Sequence, residues 1–261
     1  MLTAKGLFQE IIDNDESFRL FCSIAASGES QGGWENARIA ALVAPGMRAL
    51  APKITRHSAD EDKHGRIFNA LMKKRGLEPV PVPPDTDYTM LLERRGIGLA
   101  HEKLRADRPL TEEDVIVYLA HSRVTEQRAA DQMDMLVTHF GDHPELGKAI
   151  HMIDNDEANH LAYCHEELLG LARQGHGRLI QRTLRESALA EIRVYRDVSL
   201  AVMRHMGRIL GWSKPKAFAL AAGIHGMYVW ERAAGWHRMV DLKMPDRRNA
   251  LGGAGAPAPA L

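Results

Sequence analysis

Apolar residues along most of the chain recur at intervals of three and four, as in "FRLFCSIAA" and "DVIVYLAHSRV", the spacing that lines one face of an α-helix. Alternating runs of β-branched and aromatic residues, the mark of strands, are nearly absent. The pattern predicts an all-α fold with long helices over about 15–43, 46–75, 111–140, 144–172, 179–210 and 214–240. Turn-forming stretches divide them: "APG" at 44–46, "RGLEPVPVPPDTD" at 75–87, "GDHP" at 141–144, "RQGHG" at 173–177 and "GWSKP" at 211–215. In "PLTEEDV", Thr111 stands where a capping side chain belongs, with acids in the first turn behind it. Residues 88–106 have room for a further short helix. On this reading residues 1–245 form one helical domain, with a bundle over about 15–172 and extra C-terminal helices over about 178–242. The Gly/Ala/Pro-rich stretch 246–261 has little to bury and is expected to be a disordered tail.

Composition narrows the classes. Of 261 residues, 45% are hydrophobic and 26% charged, and 34 Lys and Arg balance 34 Asp and Glu, so no basic field invites a nucleic acid. Two cysteines, Cys22 and Cys164, are too few for a disulfide scaffold or a four-thiolate metal site. The start, "MLTAKGLFQEIIDNDESF", carries acids where a signal peptide needs an apolar core, and no run approaches the ~20 apolar residues that span a bilayer. The expectation is a cytoplasmic protein with neither nucleic-acid nor membrane partners.

The candidate chemistry lies in two similar strings, "SADEDKHGRIF" and "DNDEANHLAYCHEELLG", where Glu61 precedes His64 and Glu157 precedes His160 by three positions. One such pair arises easily by chance; position relative to the turns changes the odds. In a hairpin folded at "VAPGMRAL", a residue level with Glu61 lies as far before the turn as Glu61 lies after it, and Glu35 satisfies this with a midpoint at 48. Glu126 and Glu157 are likewise centred on "GDHP". Each carboxylate set would then sit roughly 20 Å from its hairpin tip at ~1.5 Å rise per residue. Glu35, Glu61 and His64 reappear as Glu126, Glu157 and His160 at offsets of 91, 96 and 96, an internal repeat of a helical hairpin. The connection from Gly76 to Leu110 is long enough to cross from one end of a bundle to the other, which is the ferritin-like arrangement of four helices with one long crossover.

Positions i and i+3 share a helix face, so both residues of each pair can enter the core. Four carboxylates gathered there would repel and be poorly solvated, at a cost of several kcal/mol per ion, unless protonated or neutralised by cations. Two divalent ions balance four carboxylates, and oxygen-rich ligation with one imidazole per metal suits iron or manganese.

The order Glu, E-x-x-H, Glu, E-x-x-H on four helices resembles the ferritin-like diiron-carboxylate superfamily over about residues 20–172. The resemblance implies that Glu35, Glu61 and His64 serve mainly one metal and Glu126, Glu157 and His160 the other, with Glu61 and Glu157 as bridges. Asp60 and Asp156 resemble the D-E-x-x-H form of bacterial multicomponent monooxygenases, where the Asp hydrogen-bonds a ligand histidine; a solvated helix face is the alternative. Rubrerythrins usually add a four-cysteine iron domain, which two cysteines forbid, and ferritins generally carry a single E-x-x-H. Ligand order, spacing and C-terminal helices are most similar to aldehyde-deformylating oxygenases and related small diiron oxygenases. Manganese catalases share a related ligand order, and a transfer-RNA hydroxylase of the same fold finds no support in the neutral charge.

The resulting expectation is a non-haem diiron oxygenase or oxidase with two Fe ions, taking O2 as co-substrate to oxidise a small apolar or amine-bearing molecule, with electrons from an external donor. Manganese or a mixed Mn/Fe pair stays open. So do a dimanganese catalase or peroxidase, an iron-handling ferritin-like protein, a purely structural bundle, and a homodimer. Tyr163 stands three positions after His160 and suits either a hydrogen-bond donor or radical site near the metals or a plain core tyrosine. Cys164 reads as a small buried hydrophobe, His57 as a satisfied or exposed histidine, and Trp34 as either pocket wall or packing. The segment "FALAAGIHGMYVWERAAGWHRM" is expected to pack against the bundle, with cover over a substrate channel as the alternative.

Overall fold

The computed structural model describes residues 3–242, and every regular element among them is helical. The tail expected over 246–261 lies outside the described residues. A short helix, α1 (Ala4–Asp13), leads into α2 (Asp15–Leu42), and Asn14 between them caps α2 by accepting from the backbone N–H groups of Glu16 and Ser17. After a reversal at Val43–Ala44, a 3-10 turn over Pro45–Leu50 runs into α3 (Ala51–Lys74). The crossover that follows carries two short helices, α4 (Tyr88–Arg94) and α5 (His101–Arg105), rather than one. Then come α6 (Glu112–Phe140) and α7 (Gly147–Leu171). Thr111 caps α6 in a full capping box with Asp114, each side chain accepting from the other's backbone N–H.

A π turn over Ala172–His176 leads to α8 (Gly177–Ile209), followed by α9 (Lys214–Trp230), a second π turn over Glu231–Gly235 and α10 (His237–Val240). The single helix expected over 214–240 is broken at Glu231 because that carboxylate is drawn inward to Arg128, which also grips Glu191 of α8.

Helices α2 and α3 form one hairpin and α6 and α7 another, with α3 against α7 and α8 along α6. Glycine lets the first hairpin close tightly. A Cβ on Gly33 would stand 2.6 Å from an Asp62 oxygen, and one on Gly65 would stand 3.1 Å from the Ser30 hydroxyl and 3.4 Å from the Ala26 carbonyl. Two of the apolar clusters that fill the interior are built from all four of these hairpin helices. One gathers Ile39, Ile54, Val124 and Leu168, and the other Phe18, Met72, Met133 and Ile153. On all four helices the stretch between these clusters is where the buried acids and histidines stand, so a polar layer lies between two dry ones. No helix among the described residues is long and apolar enough to cross a membrane.

Candidate metal centre

Seven side chains converge in that layer. Ligand-capable atoms of His57, Glu61, Glu126 and His160 lie within 4.8 Å of one another, as do those of Glu29, His64 and Glu157. Five of the six ligands expected from the sequence are therefore together: Glu61, His64, Glu126, Glu157 and His160. Glu35 is not among them. Its Oε1 meets His101 Nε2 at 2.6 Å and the Gln31 amide at 3.3 Å, and the His101 ring packs edge-on against Trp34. The reversal at Val43–Ala44 falls several residues before the midpoint assumed for Glu35, so Glu29 takes the level opposite Glu61. Six residues apart, Glu29 and Glu35 point about 120° away from each other around the helix.

Three imidazoles are held from outside. His64 Nε2 meets Asp156 at 3.0 Å, and His160 Nε2 meets Asp60 at 3.5 Å, so each motif's aspartate holds the histidine of the other motif. Lys63 joins the two aspartates, at 2.7 Å from Asp60 and 2.6 Å from Asp156. With Nε2 turned to aspartate, Nδ1 of both rings faces the glutamates. His64 Nδ1 stands 3.3 Å from Glu29 and 3.4 Å from Glu157. His160 Nδ1 is buried without a hydrogen-bond partner, 3.7 to 3.9 Å from oxygens of Glu61, Glu126 and Glu157.

His57 reaches the same state by another route. Its Nδ1 lies 2.8 Å from the Tyr163 hydroxyl, which lies 2.8 Å from that of Tyr118, which donates to Asn36 at 2.9 Å. This chain of hydroxyls aims the ring so that its Nε2 stands 2.9 Å from Glu61 and 3.3 Å from Glu126. Tyr163 thus touches the cluster through His57, while Cys164 is fully buried and its thiol is pushed up to about 12 by burial.

The electrostatics show what the cluster lacks. Burial, then the neighbouring carboxylates, hold Glu29 and Glu157 well above the usual carboxylate range. Burial opposes charge on Glu126 and Glu61 too, but the facing histidines outweigh it, holding Glu126 well below that range and Glu61 below it. On His57 and His160 the carboxylates outweigh burial and push the rings up to about 9 and about 11. Four carboxylates crowded in one buried layer thus favour positive charge among them. An orphaned ring nitrogen among carboxylates and a donor set of oxygen with imidazole suit a metal, and this buried cluster could hold a metal ion.

A cavity of about 510 Å³ opens on the cluster, with Glu29, Glu61, Glu126 and Glu157 in its lining. Its walls are otherwise mostly apolar, with Ile24 and Phe68 on one side and Val198, Val202 and Met203 of α8 on another. The 218–239 segment, for which cover over a channel is the alternative to packing on the bundle, contributes nothing to this lining; α8 takes that place.

Sequence reasoning missed Glu29 and His57. Glu29 was legible as the better repeat partner of Glu126, with an offset of 97 beside 96 and 96. His57 has only its position four before Glu61 to mark it. No protein-family model matches the chain, and neither a curated protein nor a solved structure does, so any reading of its chemistry rests on the arrangement of these side chains.

Proposed function

We propose that the chain is a non-haem diiron enzyme of ferritin-like architecture, an oxygenase or oxidase that uses O2 to oxidise a small organic substrate. The observation that carries the reading is the convergence of three imidazoles, each held by its outer nitrogen, on four glutamates at the wall of an apolar cavity. Two long helical hairpins joined by a crossover from Arg75 to Leu110 support the architecture.

Glu29, His64 and Glu157 would hold one ion, and His57, Glu61, Glu126 and His160 the other. Bound there, the metal pair supplies the redox chemistry that no side chain of this chain provides, with electrons from an external donor. The protein's own part is positional. Asp60, Asp156 and Lys63 fix two ring orientations, Tyr163 fixes the third, and the apolar walls admit a small substrate while keeping bulk water from the cluster. Glu35, held by His101, lines the same cavity without being one of the ligands.

The test is elemental analysis of protein from cells supplied with both iron and manganese, followed by O2 uptake with candidate substrates and a chemical reductant. About two irons per chain are expected. Glu157→Ala or His160→Ala should abolish O2 consumption while helicity stays; full activity in either would overturn the assignment. Two manganese ions with O2 release from peroxide would assign a catalase instead, and many irons per chain in a cage would assign storage.

A further inference from the structure

Helix α9 is the most apolar long helix of the described chain, yet not one of its residues is buried. Phe218 is 76% exposed, Val229 63%, and Met227 and Trp230 each 54%. Between Lys216 and Glu231 there is no charged side chain, in a protein that is 26% charged overall. Its inner edge, through Leu220, Ile224 and Tyr228, leans on the rest of the molecule, and its outer face has Phe218 and Val229 at the two ends. Ala222, His225 and Gly226 lie between them. A Cβ on Gly226 would meet nothing within 4 Å. Glycine weakens a helix interior relative to alanine, and nothing among the described residues calls for it there.

We infer that the outer face of α9 is the contact surface for a second copy of this chain, packed antiparallel across a two-fold axis. Three features favour that occupant. The size profile is self-complementary: an axis level with residues 223 and 224 brings Phe218 of one copy opposite Val229 of the other, while the small residues let the helix axes approach at the centre. The lack of charge removes the like-charge repulsion that pairing a face with itself would otherwise bring, and it offers nothing to an acidic or basic partner. A lipid surface is recruited by helices whose polar face carries Lys and Arg along its length, and α9 has only Lys214 and Lys216, both in its first turn. Phe218, Val229 and Trp230 supply roughly 400 Å² of mostly apolar area, about half of the ~800 Å² per partner of a standard interface, and the exposed Ala219, Ala222 and His225 between them add to it.

The test uses the full chain by analytical ultracentrifugation and light scattering over a wide concentration range. The wild type should sediment at twice 29.0 kDa at micromolar concentration. Phe218→Glu and Gly226→Leu should each weaken association by tenfold or more, with helicity and thermal midpoint kept, because both positions are open in the single chain. Phe218→Glu combined with Val229→Lys should recover association, since the new charges meet across the axis. A wild type that stays monomeric throughout, including one that floats with lipid vesicles, would overturn the inference. So would a dimer that survives Phe218→Glu.

Discussion

The fate of two glutamates shows how a small shift in register moves a ligand. Glu35 satisfied a symmetric hairpin folded at residue 48, but the chain reverses at Val43–Ala44, and Glu29 faces the cluster in its place. Glu29→Ala should therefore leave about one metal ion per chain, whereas Glu35→Ala should keep two, as measured by elemental analysis; the opposite result would restore the hairpin estimate. Lys63 is a second residue whose position says more than its sequence context. One ammonium holds both aspartates that aim the ligand rings, so Lys63→Met should lower metal affinity by roughly 10–100-fold, the usual cost of losing an outer hydrogen-bond partner, with Lys63→Arg recovering part of it. Competitive titration against a chelator reads both. What was legible here was the doubled D-E-x-x-H string. His57 was not, because its role depends on Tyr163 of α7 and Tyr118 of α6, more than 40 residues from it and from each other.

At the scale of elements, the turns wrote themselves clearly into the sequence, and the capping box at Thr111 is the sharpest case. Helix α1 was missed although Phe8, Ile11 and Ile12 share a face, since ten residues give too few repeats of the period to stand out. The break at Glu231 was hidden for another reason: nothing local ends α9 there, and the cause is Arg128 on α6. Arg75 shows how one residue can gather several elements. Its guanidinium donates to the Ile12 carbonyl at the end of α1 and to Glu145 in the α6–α7 turn, and it lies over the Phe18 ring of α2. Arg75→Ala should cost about 1–3 kcal/mol at neutral pH, the usual range for hydrogen bonds to a charged group. The hydrogen bond from Arg75 holds the Glu145 carboxyl below the usual range, so this pair adds stability above the ordinary carboxylate pKa and loses it as pH falls through the lowered one. Denaturation of both proteins at neutral pH and near pH 3 should show the gap narrowing in acid.

Across the whole molecule, a layer of buried acids and histidines between two apolar clusters crowds like charges away from water. A metal bound there would add stability by mass action, about 4 kcal/mol at a thousandfold excess over the dissociation constant. Iron(II) or manganese(II) added without oxygen should raise the thermal midpoint by several degrees, and an unchanged midpoint would mean that the cluster does not bind either ion. Replacing the four glutamates and two E-x-x-H histidines by apolar residues of similar volume should stabilise the metal-free chain, because a buried ionic cluster is often worth less than good apolar packing.

The crossed aspartates have one more consequence. Two identical hairpins related by a two-fold axis would exchange such contacts, each lending an acid to the other's histidine, and an offset of 96 still carries Asp60, Glu61 and His64 onto Asp156, Glu157 and His160. This is the geometry expected of a gene doubled and fused, after which neither half can work alone, because each leaves its own histidine unaimed. The same offset carries His57 onto Ile153 and Lys63 onto Asn159. The halves therefore differ at one side of the cluster, which gains a third imidazole with a tyrosine behind it.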